Sequence, residues 1–360
     1  MFYTCGHDHH KPKRMVADDQ GGGGRGRKQR VVDIHCHRQS ATVGARMKAE
    51  AERQGHAALS FGVDLPQITK DTNAKQLEFI KPKMANIDVR LADMDAMGVD
   101  VQAISVPPFQ YYYWADAEVG RAAARDMNDE MAEICAAHPD RFVALATIPM
   151  QNPEMAVAEM ERAVNELGMR GVEISTNDNG MELSDPSLEA VFAKAQEMDI
   201  VVFIHPEGFT QPNRMTQHYL INLVGHPLES TLAISALIFD GVMERMPGLK
   251  ICVAHGGGFL GAYPARMDHA YHAREDVRHG LPKPPGEYLK QFYFDSMVFA
   301  PDQLGFLVEK YGADHILLGT DYPLDMGESD PLGLIGGVTG LDDAARAAIA
   351  GGNAAKLLKL

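Results

Sequence analysis

The stretch Val31-Val32-Asp33-Ile34-His35-Cys36-His37 decides how the rest of the chain is read. Residues i and i+2 share one face of an extended strand. His35 and His37 therefore point together, toward the axis if this strand opens a closed barrel, and Cys36 points to the covering helices. Two imidazoles on one face at the C-terminal end of a strand form half of a metal site. The alternative is a pair of core or surface histidines.

Outward from this strand the chain keeps a regular beat of short apolar run, loop and amphipathic helix. Further strands are expected at 101–106, 142–148, 171–175, 200–205, 249–255, 292–296 and 315–321. Most are apolar throughout, the pattern of parallel strands covered on both faces. Helix signals lie between them. Asn86 caps a helix carrying Ile87, Leu91 and Met94 and stopped by Gly98. Asn152-Pro153 opens a second, with Val157, Met160, Val164 and Leu167 on one stripe. Asp185-Pro186 and Pro301 open two more. Eight strands alternating with helices predict a (β/α)8 TIM-like barrel, class α/β. An open doubly wound sheet is the alternative, but no Gly-x-Gly-x-x-Gly turn follows the first strand. Residues 38–85 break the beat and are read as a small insertion or lid after strand 1.

The polar residues that close these runs carry the chemistry. His205 ends the fifth strand, His255 the sixth ahead of Gly256-Gly257-Gly258, and Asp321 the eighth. In a barrel these ends form the catalytic rim. His35, His37, His205 and Asp321 make three imidazoles and one carboxylate, a divalent-metal set with room for a water whose pKa can fall to about 7. That leaves His255 for acid–base work, since an imidazole titrates in the useful range; a fifth ligand or an outer hydrogen-bond donor is its other reading. Phe109, Tyr111, Tyr112, Tyr113 and Trp114 follow the second strand on the same rim. They either wall a pocket for a flat conjugated acid, pack the loop down, or build a subunit contact. Glu173 on the fourth strand either faces a polar partner or bridges a second ion.

Composition narrows the field. The 360 residues carry a formal net charge of −15, which speaks against a nucleic-acid partner. The 45% hydrophobic content suffices for a sizeable core. No run approaches 18 uncharged apolar residues and the N-terminus lacks a signal-peptide core, so no membrane role is expected. Cys5, Cys36, Cys135 and Cys252 are too scattered for a disulfide framework. A cytoplasmic enzyme is expected. Residues 1–29, with His7, His9, His10 and the Gly21–Gly24 run, read as a flexible tail, leaving 30–360 as the barrel domain.

Taken together, the His-x-His strand, His205-Pro206, His255-Gly256-Gly257-Gly258 and Gly319-Thr320-Asp321-Tyr322-Pro323 resemble the amidohydrolase superfamily. More narrowly the chain is similar to its 2-amino-3-carboxymuconate-6-semialdehyde decarboxylase-like branch, through residues 93–100, Arg266-Met267-Asp268, residues 284–288 and residues 352–356. The resemblance implies one divalent ion, zinc first and manganese second, on His35, His37, His205 and Asp321, with His255 as the acid–base residue. It implies that Arg266 and Arg274 grip a substrate carboxylate, one of them across a homodimer or larger homo-oligomer; otherwise they pair with Asp268, Glu275 or Asp276 on a helix face. The family arginine beside a proline in the first insertion has Lys81-Pro82 as its nearest match, a departure that either Lys81 or a different substrate must explain. The implied reaction is non-oxidative decarboxylation of an unsaturated or aromatic carboxylic acid from ring-cleavage or phenolic-acid catabolism. A metal-dependent hydrolase of a C–C or related bond is the alternative, and a catalytically silent metabolite-binding barrel is the third reading.

Overall fold

The eight expected strands all form in the computed structural model, which describes residues 29–55 and 63–360. Apart from Gln29, the segment read as a tail lies outside the described residues, as do residues 56–62 of the insertion. The strands are β1 Val32–His37, β2 Val101–Ser105, β3 Phe142–Thr147, β4 Gly171–Ile174, β5 Val201–Ile204, β6 Lys250–Val253, β7 Tyr293–Asp295 and β8 Ile316–Leu317. All are parallel and paired in chain order. The barrel closes where the end of β8 meets β1: Ile34 N donates to Leu318 O at 2.9 Å, Asp321 N to His35 O at 2.8 Å and His37 N to Tyr322 O at 2.7 Å.

β1 holds a local irregularity that the period-2 reading does not contain. Asp33 faces Gln102 and Cys36 faces Ile104, so three steps on β1 match two on β2, a β-bulge. The bulge reverses the in-out phase. Val32 and Ile34 join the inner cluster of Val101, Ala103, Val201, Phe203, Cys252 and Ala254. Past the bulge, Cys36 joins the outer cluster with Ile104 and Met94. Asp33 therefore turns outward to Gln102, while His35 and His37 turn inward above an apolar floor.

The helical layer follows local signals: α1 Ala41–Gln54, α2 Gln67–Ala85, α3 Ile87–Met97, α4 Ala117–Ala137, α5 Pro153–Asn165, α6 Glu189–Glu197, α7 His226–Phe239, α8 Ala265–Ala273 and α9 Pro301–Tyr311. Asn86 Oδ1 caps α3 by accepting from Asp88 N at 2.9 Å, and Gly98 ends it in the left-handed region. Asn152 caps α5 through Met155 N. After Asp185 the chain makes one 3-10 turn, Pro186–Leu188, before α6 begins. The expected excursion at 38–85 is largely helical. Its periodicity is faint because α1 buries only Val43, Met47 and Ala51 and α2 only Ile80 and Met84, amid polar neighbours. The most apolar long segment, Ile221–Phe239, has a length and mean hydropathy compatible with crossing a membrane. It contains Glu229 and lays Ala233, Ile234, Leu237 and Ile238 into the outer core.

The turn after β6 packs hard against the start of α7. His255, Gly256, Gly257 and Gly258 all have positive φ, between 57° and 78°. A Cβ on Gly258 would stand 2.2 Å from Pro227 O, so glycine is required there for space as well as for φ. Gly258→Ala is therefore expected to destabilise the fold by about 2 kcal/mol. A urea titration giving the wild-type midpoint would show that the two segments are not in contact.

Candidate active site

Every residue singled out at a strand's C-terminal end arrives at one place. His35, His37, His205 and Asp321 are buried, and their ligand atoms lie within 4.8 Å of one another. The Nε2 atoms of His35 and His37 are each 3.2 Å from the same Asp321 oxygen, Oδ1. Two donors bonded tetrahedrally to one ion at ordinary zinc–nitrogen lengths stand about 3.3 Å apart. His255 Nε2 lies 3.9 Å from the other oxygen, Oδ2, with its side chain 15% exposed.

Outer partners fix which nitrogen faces inward. His35 Nδ1 meets Asp295 Oδ2 at 2.5 Å, and His37 Nδ1 meets Val106 O at 3.2 Å. With Nδ1 as the donor, each Nε2 lone pair turns to the axis. There His35 Nε2, His37 Nε2, both ring nitrogens of His205 and Asp321 Oδ1 are buried with no hydrogen-bond partner among the described residues. Buried polar atoms are almost always paired. Four residues, each offering one such orphaned atom of ligand chemistry to a common space, fit a divalent cation.

The charges of the cluster follow the same geometry. Burial works against the His35 imidazolium, but the Asp321 charge and the Asp295 contact outweigh it and hold its pKa well above the usual value. Burial would raise Asp321, yet the neighbouring His35 charge and the close approach of the His255, His35 and His37 rings hold it well below the carboxylate range. Burial, then the like charges of the other histidines, depresses His205. Asp321 and His255 both have left-handed backbones, φ 54° and 57°, uncommon for residues other than glycine. Strain of order 1–3 kcal/mol per such residue is typical where a site aims a side chain.

Sequence reasoning missed four supporting residues. Asp295, at the end of β7, accepts from His35 with one oxygen and from Gly256 N at 2.8 Å and Met297 N at 3.2 Å with the other. It closes an apolar run just as His205 does, so the signal that pointed to the candidate ligands was present. Asp33, turned out by the bulge, accepts from Thr320 Oγ1 at 2.6 Å, Thr320 N at 3.1 Å and Gln102 Nε2 at 3.0 Å. Burial pushes its pKa up to about 6. Arg90 on α3 is fully buried, donates to Gln102 Oε1 at 2.9 Å and to His37 O, and lies 4.7 Å from the Tyr322 ring centroid. His226, at the start of α7, has its ring centroid 6.2 Å from that of His255 and 6.4 Å from that of His205. No strand-end signal marks it.

Other candidates are placed elsewhere. Tyr111 and Tyr113 stack at 5.5 Å, and Tyr111 Oη donates to Glu173 Oε1 at 2.7 Å, so the aromatic run packs down and supports the barrel's polar end. Glu173 thus has a polar partner, and burial raises its pKa. Trp114 stands edge-on to Tyr112 at 6.1 Å. Arg274 pairs with Asp276 at 2.7 Å on the surface, the helix-face alternative. Arg266 is exposed on α8 and Lys81 is exposed on α2. Lys83, two residues on, pairs with Asp93 at 2.7 Å and approaches the Tyr322 ring to 5.7 Å.

Comparison with known proteins gives a consistent picture. The amidohydrolase family model matches residues 32–360. A 2-amino-3-carboxymuconate-6-semialdehyde decarboxylase of Dictyostelium discoideum is 38% identical over 274 residues, covering 76% of each chain. The crystal structure of 5-carboxyvanillate decarboxylase from Sphingomonas paucimobilis superposes with TM-score 0.81 at 25% identity, covering 92% of this chain and 99% of that one. A dihydroxybenzoic acid decarboxylase from Polaromonas sp. JS666, solved with manganese and the inhibitor 2-nitroresorcinol, shares the fold with TM-score 0.77 at 23% identity, covering 92% and 97%.

If Asp295 sets the tautomer of His35, Asp295→Asn should weaken binding of zinc or manganese by about 10–100-fold. Chelator competition followed by metal analysis measures this, and unchanged affinity would remove Asp295 from the site.

Proposed function

The chain belongs to the amidohydrolase family, and on that premise we propose that it is a metal-dependent, non-oxidative decarboxylase of an unsaturated or aromatic carboxylic acid. The observation that carries this reading is the convergence of unpartnered His and Asp donors beside a partly accessible His255. Relatives that share the fold and are named as decarboxylases of aromatic or conjugated acids support it. One divalent ion on His35, His37, His205 and Asp321, zinc by virtue of three imidazoles or else manganese, would supply positive charge that fixes the anionic substrate.

The chain's own residues account for the remaining needs of the reaction. Losing CO2 breaks one C–C bond and leaves its electron pair on the substrate carbon. His255 holds a proton at the mouth and delivers it there, so that a C–H bond replaces the bond to the carboxylate. Its partial exposure lets water restore the proton. Asp321 Oδ2 stands 3.9 Å from His255 Nε2, which places the ring beside the candidate metal position. The barrel floor of Phe203 and Ala254 excludes water from below.

A carboxylate substrate also needs countercharge. Among the described residues no Lys or Arg forms an ion pair with the cluster, while Lys81, Arg266 and Arg274 lie at the surface of the single chain. This supports a homodimer or higher homo-oligomer in which Arg266 or Arg274 reaches a second copy's site, with Lys81 and Trp114 at the rim. A cytoplasmic setting suits such an enzyme of small-molecule catabolism.

The test uses protein stripped by chelator and reloaded with zinc or manganese, then offered carboxylated phenols and carboxylated ring-fission acids. CO2 is expected, with one solvent deuterium at the vacated carbon when the reaction runs in D2O. His255→Ala should keep its metal and lose about 10²–10⁴-fold in kcat. Two acid fragments without CO2, or a His255→Ala variant at wild-type rate, would overturn the proposal.

A further inference from the structure

His226 is a fifth imidazole at the mouth, and neither ligation nor acid–base work uses it. It is not part of the four-residue group whose donor atoms cluster within 4.8 Å. Its ring nevertheless sits next to both functions, 6.4 Å from His205 and 6.2 Å from His255, tilted 37° to the latter. It is partly exposed, and no hydrogen bond to either ring nitrogen is found among the described residues. A neutral imidazole carries one N–H donor and one acceptor. Left without protein partners at the mouth, both are free to meet a ligand.

The backbone holds this ring in place. A π-helical segment, Ile221–Gly225, immediately precedes α7, and such segments concentrate at functional sites. His226 and Pro227 form the first turn of α7. Thr231 Oγ1 donates to Pro227 O at 2.7 Å and accepts from Phe259 N at 3.0 Å, tying that turn to the glycine turn that follows His255. The backbone segments that carry the two imidazoles are thus tied to each other through the Thr231 hydroxyl. Two hydrogen-bonding groups on segments so tied can address neighbouring positions of one flat ligand.

We propose that His226 is a substrate-binding, specificity-determining residue that hydrogen-bonds a polar substituent beside the carbon protonated by His255. A ligand with a polar group within reach of His226 should then bind better than the same ligand without it. This rests on the decarboxylase reading of the same site. Rigid placement matters here because a polar group left unpaired on binding costs more than a paired one returns.

The experiment measures binding to manganese-loaded protein by calorimetry, with 2-nitroresorcinol and 2-nitrophenol as probes. They differ by one hydroxyl. Wild type should prefer 2-nitroresorcinol by about tenfold, one hydrogen bond's worth. His226→Phe should bring the two affinities within about threefold of each other, by weakening the resorcinol alone and leaving metal content unchanged. His226→Gln, which keeps a donor and an acceptor, should restore part of the preference. A His226→Phe variant that keeps the full preference, or loses its metal, overturns the assignment while leaving the decarboxylase reading intact. If neither probe binds the loaded wild type, the reading of the site falls and the assignment with it.

Discussion

Closure of the barrel at the β1–β8 seam is the constraint on which the site depends. Three of the four clustered donors come from the two elements that meet there, and Asp321 N bonds directly to His35 O at 2.8 Å. If the seam opens, Asp321 leaves the imidazoles and the cluster disperses. The energetics run the other way as well. An orphaned carboxylate and three imidazoles at the end of an apolar barrel oppose folding unless a cation satisfies them. Fold and site are therefore linked, and whatever ion the cluster holds stabilises the seam that assembles it.

Behind the seam lies a second polar layer, and the bulge in β1 creates it. By turning Asp33 outward the bulge gives Thr320 a side-chain partner just before Asp321. Gln102 links Asp33 to Arg90, and Arg90 returns to the carbonyl of His37 and to the Tyr322 ring. Each site residue from β1 and β8 is thereby gripped from outside the barrel. Such a network is costly when half-satisfied and rigid when complete. One atom, Arg90 Nε, is left over among the described residues.

The strands were legible because parallel strands buried on both faces read as continuous apolar runs, and the candidate ligands because each of them closes such a run. Asp295 obeys the same rule in Tyr293-Phe294-Asp295 and was passed over because β7 is short and four ligands already sufficed. Asp33 and Arg90 were hidden for different reasons. A bulge is invisible to a period-2 pattern, and a lone arginine on a helix beside Asp88 and Asp93 reads as part of a solvated face. α1 and α2 were faint since each buries so few side chains. His226 was out of reach: its position depends on how α7 docks against the His255 turn, a contact between segments some thirty residues apart.

An acidic chain that handles acidic molecules poses an electrostatic question, and the structure shows how local the answer has to be. The net charge of −15 belongs to the whole surface, and at physiological ionic strength its influence fades within about 8 Å. At the mouth the relevant groups are His255, His226 and the donor cluster, beside a floor of apolar side chains. Of the two acids here, Asp295 is engaged by His35 and by backbone N–H donors, and Asp321 turns Oδ1 inward to within 3.2 Å of His35 and His37 Nε2. Their charge is spent inward, on imidazole, and not presented to an approaching anion. Selectivity then depends less on global charge than on which polar atoms a flat acid can present to two neighbouring imidazoles at once.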